Sequence, residues 1–418
     1  MTLTIHRGTH EIGGSCVEIR TSKAKILIDF GMPLNYDRCT EEEQVKMSLN
    51  AAEWCKDVDA VFLSHAHSDH YGFLDILAKD TPVFATEDTF VMMSLDSIFG
   101  TDRSSHLKRC SMQGYKTYEI CDIRVTCYPI DHSAYGACAL LFEHNNKRIL
   151  YSGDIRLHGI KGVLYKRLPQ DVDYLLLEGT NITRCSHNPT ERDVEKAFIE
   201  SFDAAPEALH LVWCSSKNID RICAIFRACL RRNKQLLIDP YVANVLEEVS
   251  RLNPKIPSVT TCDRIKIFFA QHLTTKLSEK DMKRYVYSLN PNMNKVTYNE
   301  ISNAPGQYVM IVRPSLLDFL QRIRAEHVRF VKSIWRGYWD EPSNAYFRKW
   351  VESNCEVLPD IHSSGHADIG ALRCIVDFVK PKHLIPIHTD SPECFGELFP
   401  GTNVLYLEDN LPVSLCAN

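Results

Sequence analysis

The sequence predicts an α/β protein whose strand-rich core is interrupted by a second, inserted α/β domain. Short apolar runs typical of strands alternate with helix-like patterns along the first 180 residues. From Thr190 the pattern changes to a strand–helix–strand succession, and no low-complexity linker separates the two textures. We therefore expect residues 1–180 and 356–418 to form one divided domain, with residues 181–355 inserted into it.

The first segment reads as short strands separated by turns and a few helical stretches. Gly13-Gly14 marks a turn between two early strands, and Gly72–Lys79 is predicted to be helical. The predicted strands are Leu3–His6, Ser15–Ile19, Lys25–Phe30, Ala60–Ser64, Pro82–Ala85, Ile123–Ile130, Cys138–Glu143, Arg148–Ser152 and Tyr174–Glu178. Several of these strands end directly before polar, ligand-type side chains.

The middle of the chain has the alternating pattern of a βαβ layer. The predicted elements are helix Glu191–Asp203, strand Ala208–Cys214, helix Asn218–Arg232, strand Gln235–Asp239, strand Tyr308–Arg313 and helix Ser315–Glu326. Leu252–Asn303 has helix-like pieces without strong boundaries. A helix at Ile369–Val379 and a strand at His383–Ile387 then return the chain to the first domain.

Composition is that of an ordinary globular protein, with 44% hydrophobic and 24% charged residues among 418. No run of 18 uncharged apolar residues occurs, so we expect neither a membrane span nor a membrane partner. The 16 cysteines are scattered without CxxC pairs, a distribution that fits reduced, buried thiols. We therefore expect a cytoplasmic protein.

The charge is unevenly distributed along the chain. The net charge of −5 argues weakly against nucleic acid, but residues 181–355 hold 26 Lys and Arg against 19 Asp and Glu. A basic insert beside an acidic, metal-binding remainder suits a polyanion held over bound cations. Scattered solvated charge explains the asymmetry equally well.

The strongest signal lies in residues 62–72, where an apolar strand runs into four ligand-type side chains within six residues. His65 and His67 are two residues apart, so on extended backbone they project to one side and can hold one metal ion. Asp69 and His70 follow the turn and can reach a second ion. The alternative, a polar turn with hydrogen-bonded histidines, does not account for such clustering.

Three later residues stand at the ends of apolar strands and complete a ligand set. They are His132 after Pro129-Ile130, Asp154 after Tyr151-Ser152-Gly153, and His388 after Ile385-Pro386-Ile387. Any one of them alone is as easily a hydrogen-bonded loop residue. As a set they supply what two metal ions need beyond the first motif.

With these residues the chain resembles the metallo-β-lactamase superfamily, and nearly its whole length resembles the β-CASP branch, which includes ribonuclease J and cleavage-factor endonucleases. The resemblance implies an αββα sandwich with an inserted β-CASP α/β domain and two Zn²⁺ ions, or Mn²⁺ in their place. It implies that His65, His67 and His132 hold one ion, that Asp69, His70 and His388 hold the other, and that Asp154 bridges them. Asp29 in Leu27-Ile28-Asp29-Phe30-Gly31 would orient a metal-ligating side chain.

Branch-specific motifs match Glu178, His366 and His388, and histidine at the last position favours RNA over DNA. The resemblance implies a zinc-dependent ribonuclease in which a metal-bridging hydroxide attacks phosphorus. Asp69, Glu178 and His366 are the catalytic candidates, with His366 stabilising charge or donating a proton and Glu178 orienting it. His362, Ser363 and Ser364 are candidate contacts for a substrate phosphate, although a plain turn would look similar.

The chain departs from ribonuclease J proper in three ways. Glu178 is followed by glycine where an aspartate with Ser-Thr is usual, the overall charge is acidic, and about thirty residues follow His388, so a C-terminal assembly domain is not expected. A homodimer is one option for its assembly. Exonuclease and endonuclease action on single-stranded RNA are both left open.

Two alternative functions remain at this stage. The superfamily also hydrolyses DNA and small esters, thioesters, lactones and β-lactams with the same metal set. A non-catalytic RNA-binding scaffold that has lost its metals is the second alternative, and it is disfavoured because all seven ligand positions are filled.

Overall fold

The computed structural model describes residues 1–99, 103–185, 187–279, 286, 289 and 294–415, and its chain divides into two compact units. Unit 1 is built from the described residues of Met1–Ser97, Thr101–Asn188 and Gly365–Asn418, and unit 2 from those of Pro189–Ser364 and Ile98–Gly100. Our sequence prediction placed the changes at 180/181 and 355/356, and these functional domain bounds stay a prediction.

Strands and helices alternate along the described residues. The strands are β1 (Thr2–Arg7), β2 (Cys16–Arg20), β3 (Lys25–Ile28), β4 (Ala60–Phe62), β5 (Pro82–Thr86), β6 (Lys108–Met112), β7 (Thr117–Ile120), β8 (Ile123–Pro129), β9 (Cys138–His144), β10 (Lys147–Tyr151), β11 (Tyr174–Glu178), β12 (Leu209–Cys214), β13 (Gln235–Ile238), β14 (Ile265–Ile267), β15 (Tyr308–Val312), β16 (Val328–Ser333), β17 (Glu356–Val357), β18 (His383–Ile387), β19 (Asn403–Val404) and β20 (Val413–Ser414). The helices are α1 (Glu41–Trp54), α2 (Ser68–Tyr71), α3 (Glu87–Phe99), α4 (Glu191–Ala204), α5 (Ile219–Arg231), α6 (Pro240–Leu252), α7 (Gln271–Glu279), α8 (Tyr298–Asn303), α9 (Leu317–Leu320), α10 (Arg336–Asp340), α11 (Ala345–Asn354), α12 (Ile369–Val379) and α13 (Cys394–Leu398).

Unit 1 contains two seven-stranded sheets, in the orders β20-β1-β2-β3-β4-β5-β6 and β19-β18-β11-β10-β9-β8-β7. One buried cluster draws apolar side chains from both sheets, so the sheets pack face to face. Phe62 of the first sheet illustrates this packing, because its ring meets that of Phe142 from the second sheet edge-on at 5.8 Å. A second cluster joins the other face of the second sheet to α12. The predicted α/β sandwich is confirmed.

The second sheet of unit 1 brings several chain ends to one edge. β10 pairs in parallel with β11, and β11 pairs in parallel with β18, with Glu178 opposite Ile387. Since parallel strands end at the same edge, the residues that follow β10, β11 and β18 emerge together. Asp154, Thr180 and His388 are such residues, which explains why distant segments of sequence meet there.

Unit 2 is a six-stranded parallel sheet in the order β14-β13-β15-β12-β16-β17. Its strands read as continuous apolar runs because helices cover the faces of parallel sheets. The helix α6 shows how the sequence starts such helices, since Asp239 caps its first turn by accepting from Tyr241 N–H and Pro240 occupies the first position. The predicted βαβ succession from Glu191 to Asp239 is confirmed.

Two predicted helices are wrong. Gly72–Lys79 contains only a 3-10 turn, because Phe73 N–H donates to Phe30 O and the following N–H groups bond three residues back rather than four. Ser315–Glu326 is α-helical only over Leu317–Leu320, after a 3-10 turn at Pro314–Leu316. Arg324 N–H donates to the Ser302 hydroxyl, and the chain turns into β16. No described helix is long and apolar enough to cross a membrane.

Candidate metal centre

The centre begins at Asp29, a fully buried carboxylate directly after β3. Its Oδ2 accepts hydrogen bonds from Ser64 Oγ at 2.8 Å, Tyr151 OH at 2.8 Å and His70 Nδ1 at 2.7 Å. A histidine that donates from Nδ1 keeps the lone pair of Nε2 for another partner. Asp29 therefore turns Nε2 of His70 towards the interior of the site.

His65, His67 and His132 bring three ring nitrogens together. His67 Nδ1 lies 3.1 Å from His65 Nε2 and 3.2 Å from His132 Nε2. Nitrogens at 2.0–2.1 Å from a tetrahedral zinc ion are about 3.3 Å apart, so these separations are those of three ligands to one ion. This is the first of the two ligand groups that the sequence predicted.

The ring of His132 is held by backbone from the far end of unit 1. His132 Nδ1 donates to the carbonyl of Gly365 at 2.6 Å, which leaves Nε2 to face His67. A side chain at position 365 would not fit, because a Cβ there would stand 2.5 Å from Ser133 Oγ and 3.1 Å from the His132 ring. Glycine lets the two segments approach closely enough for this hydrogen bond.

The second group contains Asp69, His70 and His388. Asp69 Oδ2 lies 3.4 Å from His388 Nε2 and 3.8 Å from His70 Nε2. His388 follows β18 in a left-handed conformation with φ of 54°, and its N–H donates to the carbonyl of Gly8 at 2.7 Å. A non-glycine residue in this region is strained, and such strain is found where a side chain must be aimed.

Asp154 lies between the two groups. Its Oδ2 is 3.5 Å from His65 Nε2, 3.8 Å from His132 Nε2 and 3.3 Å from His70 Nε2, and its Oδ1 is 3.8 Å from His388 Nε2. Among the described residues, neither Asp154 Oδ1 nor His70 Nε2 has a hydrogen-bond partner, although both are buried. Buried polar atoms normally have partners, so a set of imidazole and carboxylate donors left in this state fits a divalent cation.

The charges in the site favour metal ligation. Burial lowers the pKa of His65 and His132, which keeps their lone pairs free. At His70 burial is outweighed by the neighbouring carboxylates, which raise its pKa, so a metal ion that binds there displaces a proton. Burial opposes ionisation of Asp69 and Asp154, yet the surrounding histidines hold the pKa of both carboxyls well below the usual range. Neutral imidazoles and ionised carboxylates are the forms that bind metal.

Glu178 and His366 form a pair beside Asp154. Glu178 is buried, and its Oε1 accepts from Ala367 N–H at 3.1 Å while its Oε2 lies 3.3 Å from His366 Nδ1. Burial disfavours the charged His366 ring, but the carboxylates of Glu178 and Asp154 outweigh it and raise the pKa of His366 to about 9. The His366 side chain is 22% exposed, so this cation is accessible from solvent.

The structure thus brings nine predicted residues together in unit 1: His65, His67, Asp69, His70, His132, Asp154, Glu178, His366 and His388. The sequence reading missed Ser64, Tyr151, Thr180 and the carbonyl of Gly365. Ser64, Thr180 and the Gly365 carbonyl contact rings of predicted histidines, and Tyr151 donates to the predicted Asp29. All four lie beside recognised motif residues in the sequence, but spacing alone does not show which ring or carboxylate each of them contacts.

The predicted phosphate contacts His362, Ser363 and Ser364 lie in unit 2. Ser363 is buried and its hydroxyl donates to the carbonyl of Pro189 at 2.7 Å. His362 Nδ1 lies 3.3 Å from Arg221, and burial lowers the pKa of His362 to about 4. Phosphate binding by these three residues stays a prediction.

Two family models match the chain. Residues 41–212 match the beta-lactamase superfamily domain, and residues 350–398 match the Zn-dependent metallo-hydrolase RNA specificity domain. The first matched segment contains seven of the nine residues of the cluster, and the second contains the other two, His366 and His388.

Curated proteins and a solved structure are similar to this chain. The probable RNase MJ4 of Methanocaldococcus jannaschii is 32% identical over 214 residues, covering 46% of this chain and 47% of that protein. Ribonuclease J of Sinorhizobium meliloti is 22% identical over 354 residues, covering 81% of this chain and 59% of that protein. The chain spans about half the length of the curated relatives it matches.

A crystal structure of a protein of unknown function from Enterococcus faecalis V583 covers 99% of both chains with a TM-score of 0.80 at 21% identity. At this identity the likeness concerns the fold alone. Fold, matched domains and relatives agree with the metal-ligand geometry of unit 1. The chain belongs to the metallo-β-lactamase superfamily, in its β-CASP branch.

Proposed function

We propose that the protein is a zinc-dependent ribonuclease that hydrolyses phosphodiester bonds in RNA. The observation that carries the proposal is the convergence of two ligand groups on Asp154, with Glu178 and His366 directly beside them. The match of residues 350–398 to an RNA specificity domain and the relatives named ribonuclease support RNA as the substrate.

Two zinc ions would be held by His65, His67 and His132 and by Asp69, His70 and His388, with Asp154 shared between them. Such ions lower the pKa of a bound water towards 7 and polarise a phosphoryl group. Mn²⁺ is an alternative occupant, because imidazole and carboxylate ligands accept both metals.

His366 has the position of a group that meets the reacting phosphate. Its Nδ1 lies 3.3 Å from Glu178 Oε2 and 3.8 Å from Asp154 Oδ2, so the protonated ring stands directly beside the carboxylate that the two ligand groups share. A donor held in this way stabilises negative charge that develops on a phosphoryl oxygen, and it can pass its proton to the leaving oxygen. Glu178 acts through His366 and keeps the ring oriented and charged.

Unit 2 supports a single-stranded substrate. Trp335 and Tyr338 are 51% and 45% exposed, and their rings meet edge-on at 5.6 Å. Arg336 lies between them in sequence. Unpaired bases stack on exposed aromatic side chains, and arginine adds attraction for the phosphate backbone.

The described cysteines are all free, which supports a reducing compartment such as the cytoplasm. Assembly as a homodimer stays a prediction.

The proposal is tested by offering single-stranded and duplex oligonucleotides of RNA and DNA, with 5′-monophosphate or 5′-hydroxyl ends, to the zinc-loaded protein. We expect single-stranded RNA to be cut and Asp69→Ala to abolish cutting. Asp75→Ala is the matched control, since Asp75 is an exposed carboxylate six residues further along the chain that forms an ion pair with Arg103. The control should cut at the wild-type rate.

Other outcomes would redirect the assignment. Turnover of a lactone or thioester without any cleavage of nucleic acid would contradict the nuclease proposal, and preferential cutting of DNA would contradict the substrate class. Metal analysis that finds less than one zinc per chain, together with RNA binding, would identify a non-catalytic scaffold. Cutting by Asp69→Ala at the wild-type rate would overturn the site assignment.

A further inference from the structure

We propose that Thr180 is a positioning residue whose hydroxyl holds the metal ligand His388 and the proton donor His366 in register with each other. The inference rests on the proposed function for the role of His366, whereas its effect on metal affinity can be measured without any catalysis. It assigns a task to a side chain that the motifs of the sequence did not single out.

The hydroxyl of Thr180 lies between two imidazole rings. Its Oγ1 is 2.9 Å from His388 Nδ1 and 3.1 Å from His366 Nδ1, and it is 3.4 Å from the carbonyl of His388. The rings of His366 and His388 are stacked, with centroids 5.5 Å apart and planes 22° from parallel. One oxygen atom therefore contacts the same ring position on both histidines.

The hydrogen-bonding capacity of a threonine matches this arrangement. A hydroxyl has two lone pairs and one proton. Its lone pairs accept the Nδ1–H of His388 and, together with Glu178 Oε2, the Nδ1–H of His366, which lies within 3.3 Å of both oxygens. Its proton is directed to the carbonyl of His388. With Nδ1 of His388 bound to hydrogen, Nε2 of His388 keeps a lone pair for metal.

The backbone places this hydroxyl firmly. Thr180 N–H donates to Glu178 Oε2 at 3.0 Å, and Gly179 N–H donates to the carbonyl of Ile387 at 3.1 Å. Position 179 excludes a side chain, because a Cβ there would lie 2.6 Å from the ring of Phe395. Gly179, the residue after β11, is thus held against the end of β18, and this fixes the position of Thr180 as the next residue.

The same segment also holds the backbone of His366. The side-chain amides of Asn181 and Asn188 donate to the carbonyl of His366 at 3.2 and 3.3 Å, and Glu178 accepts from Ala367 N–H. The backbone of His366 is therefore held independently of Thr180. Loss of the Thr180 hydroxyl should disturb the ring of His366, which would keep only its contacts with carboxylates such as Glu178, and should leave its main chain in place.

The experiment compares Thr180→Val, which keeps the shape without the hydroxyl, with Thr180→Ser, which keeps the hydroxyl. Zinc affinity is measured by competition with a chromogenic chelator, and kcat and KM are measured on single-stranded RNA. Loss of a hydrogen bond to a metal-ligating side chain lowers metal affinity or activity about 10- to 100-fold. For Thr180→Val we therefore expect a loss of that size in the affinity for the more weakly bound zinc ion, and a similar loss in kcat. We expect KM to change less than about twofold and Thr180→Ser to recover most of both losses.

Thr389→Val is the matched control. Thr389 is a buried threonine next to His388, and its hydroxyl accepts from Ser391 N–H at 3.2 Å instead of touching either ring. This variant should keep wild-type zinc affinity. Thermal unfolding of each variant in chelator separates a loss of fold from a loss of positioning.

The proposal is overturned if Thr180→Val keeps wild-type zinc affinity and kcat, or if Thr180→Ser is as defective as Thr180→Val. A wild-type protein that binds two zinc ions and cuts no RNA would refute the ribonuclease function alone. In that case the chelator competition still decides whether Thr180 positions His388.

Discussion

Each unit contains one buried polar cluster, and the two clusters differ in whether their buried charges are neutralised by partners within the chain. In unit 2, Arg221 is fully buried and donates to both carboxylate oxygens of Glu191, to the carbonyl and hydroxyl of Ser333 and to the carbonyl of Ser363. Its guanidinium is thus surrounded by acceptors from its own unit. In unit 1, the metal centre gathers imidazoles and carboxylates that leave Asp154 Oδ1 and His70 Nε2 without hydrogen-bond partners among the described residues.

The difference separates a structural cluster from a binding site. The Arg221 cluster is complete as the chain folds, because donors and acceptors are matched. The metal centre has several acceptors pointing at the same space, so it is completed by a cation from outside the chain. Burial and charge alone do not distinguish the two clusters. The two clusters are distinguished by whether each buried acceptor atom has a hydrogen-bond donor.

The largest expected effect comes from removing the carboxylate that the two ligand groups share. Asp154→Asn should lower kcat/KM on RNA roughly 10³-fold or more, which corresponds to a loss of several kcal/mol of transition-state stabilisation. Zinc at 1,000 times its dissociation constant stabilises a protein by about 4 kcal/mol, and this increment should shrink strongly in the variant. Urea unfolding of loaded and chelated protein measures it.

The chelated protein is the internal control for this variant, because any difference that persists without zinc belongs to folding rather than to metal binding. An undiminished zinc-induced stabilisation in Asp154→Asn would contradict the idea that unit 1 is completed by a cation.

The second prediction concerns the Arg221 cluster of unit 2, in which donors and acceptors are matched. Arg221→Met leaves Glu191 buried without its cation, so the free energy of unfolding should fall by about 3–5 kcal/mol, equally with and without zinc. Arg227→Met is the matched control on the same helix, since its partner Glu195 is reached by a half-exposed guanidinium and such pairs contribute about 0–1 kcal/mol. Urea unfolding at neutral pH measures both variants.

A double variant sharpens this test. Replacing both partners, as Arg221→Met with Glu191→Leu, should be less damaging than Arg221→Met alone, because no uncompensated charge remains. Equal losses in the single and double variants would show that packing, and not charge, is what Arg221 supplies.

Much of the metal centre was predictable because its residues follow apolar strands at short, regular spacing. His65 to His70 form one segment, His388 stands directly after a strand, and Asp154 stands three residues after one. The contacts of Thr180 with His366 and His388 join positions 186 and 208 residues apart. Such contacts depend on which strands become neighbours, and local spacing carries no information on that.

The fold was predictable where periodicity was strong. Ile369–Val379 and His383–Ile387 have the predicted bounds, because clear apolar patterns and Asp368 as a cap define them. α1 was not predicted, although Thr40 and Glu43 form a capping box at its start, since only Ala51 among its residues is buried and little apolar periodicity results. Ser315–Glu326 failed because a tertiary hydrogen bond to Ser302 overrides local helix propensity.

The prediction with the smallest expected effect concerns Glu18, a carboxylate of unit 1 outside the metal centre. It tests whether the charge of Glu18 is matched by its neighbours, as the charge of Arg221 is in unit 2. Glu18 is buried and contacts His6, Arg20 and Lys25. Burial opposes its ionisation, but these partners prevail and lower the pKa of Glu18 to about 2 from 4.5. Since the folded pKa is the lower one, ionised Glu18 stabilises the fold above about pH 4.5, and this contribution is lost as the pH falls towards 2.

We therefore expect Glu18→Gln to be less stable than wild type by about 1–2 kcal/mol at pH 6, after allowance for solvent screening. The difference should shrink as the pH falls from about 4.5 towards 2, where wild-type Glu18 becomes protonated too. Urea unfolding of both chelated proteins across this range measures the difference without interference from zinc. A difference that stays constant with pH would mean that Glu18 acts through packing, and that the distinction between matched and unmatched charge does not extend to this carboxylate.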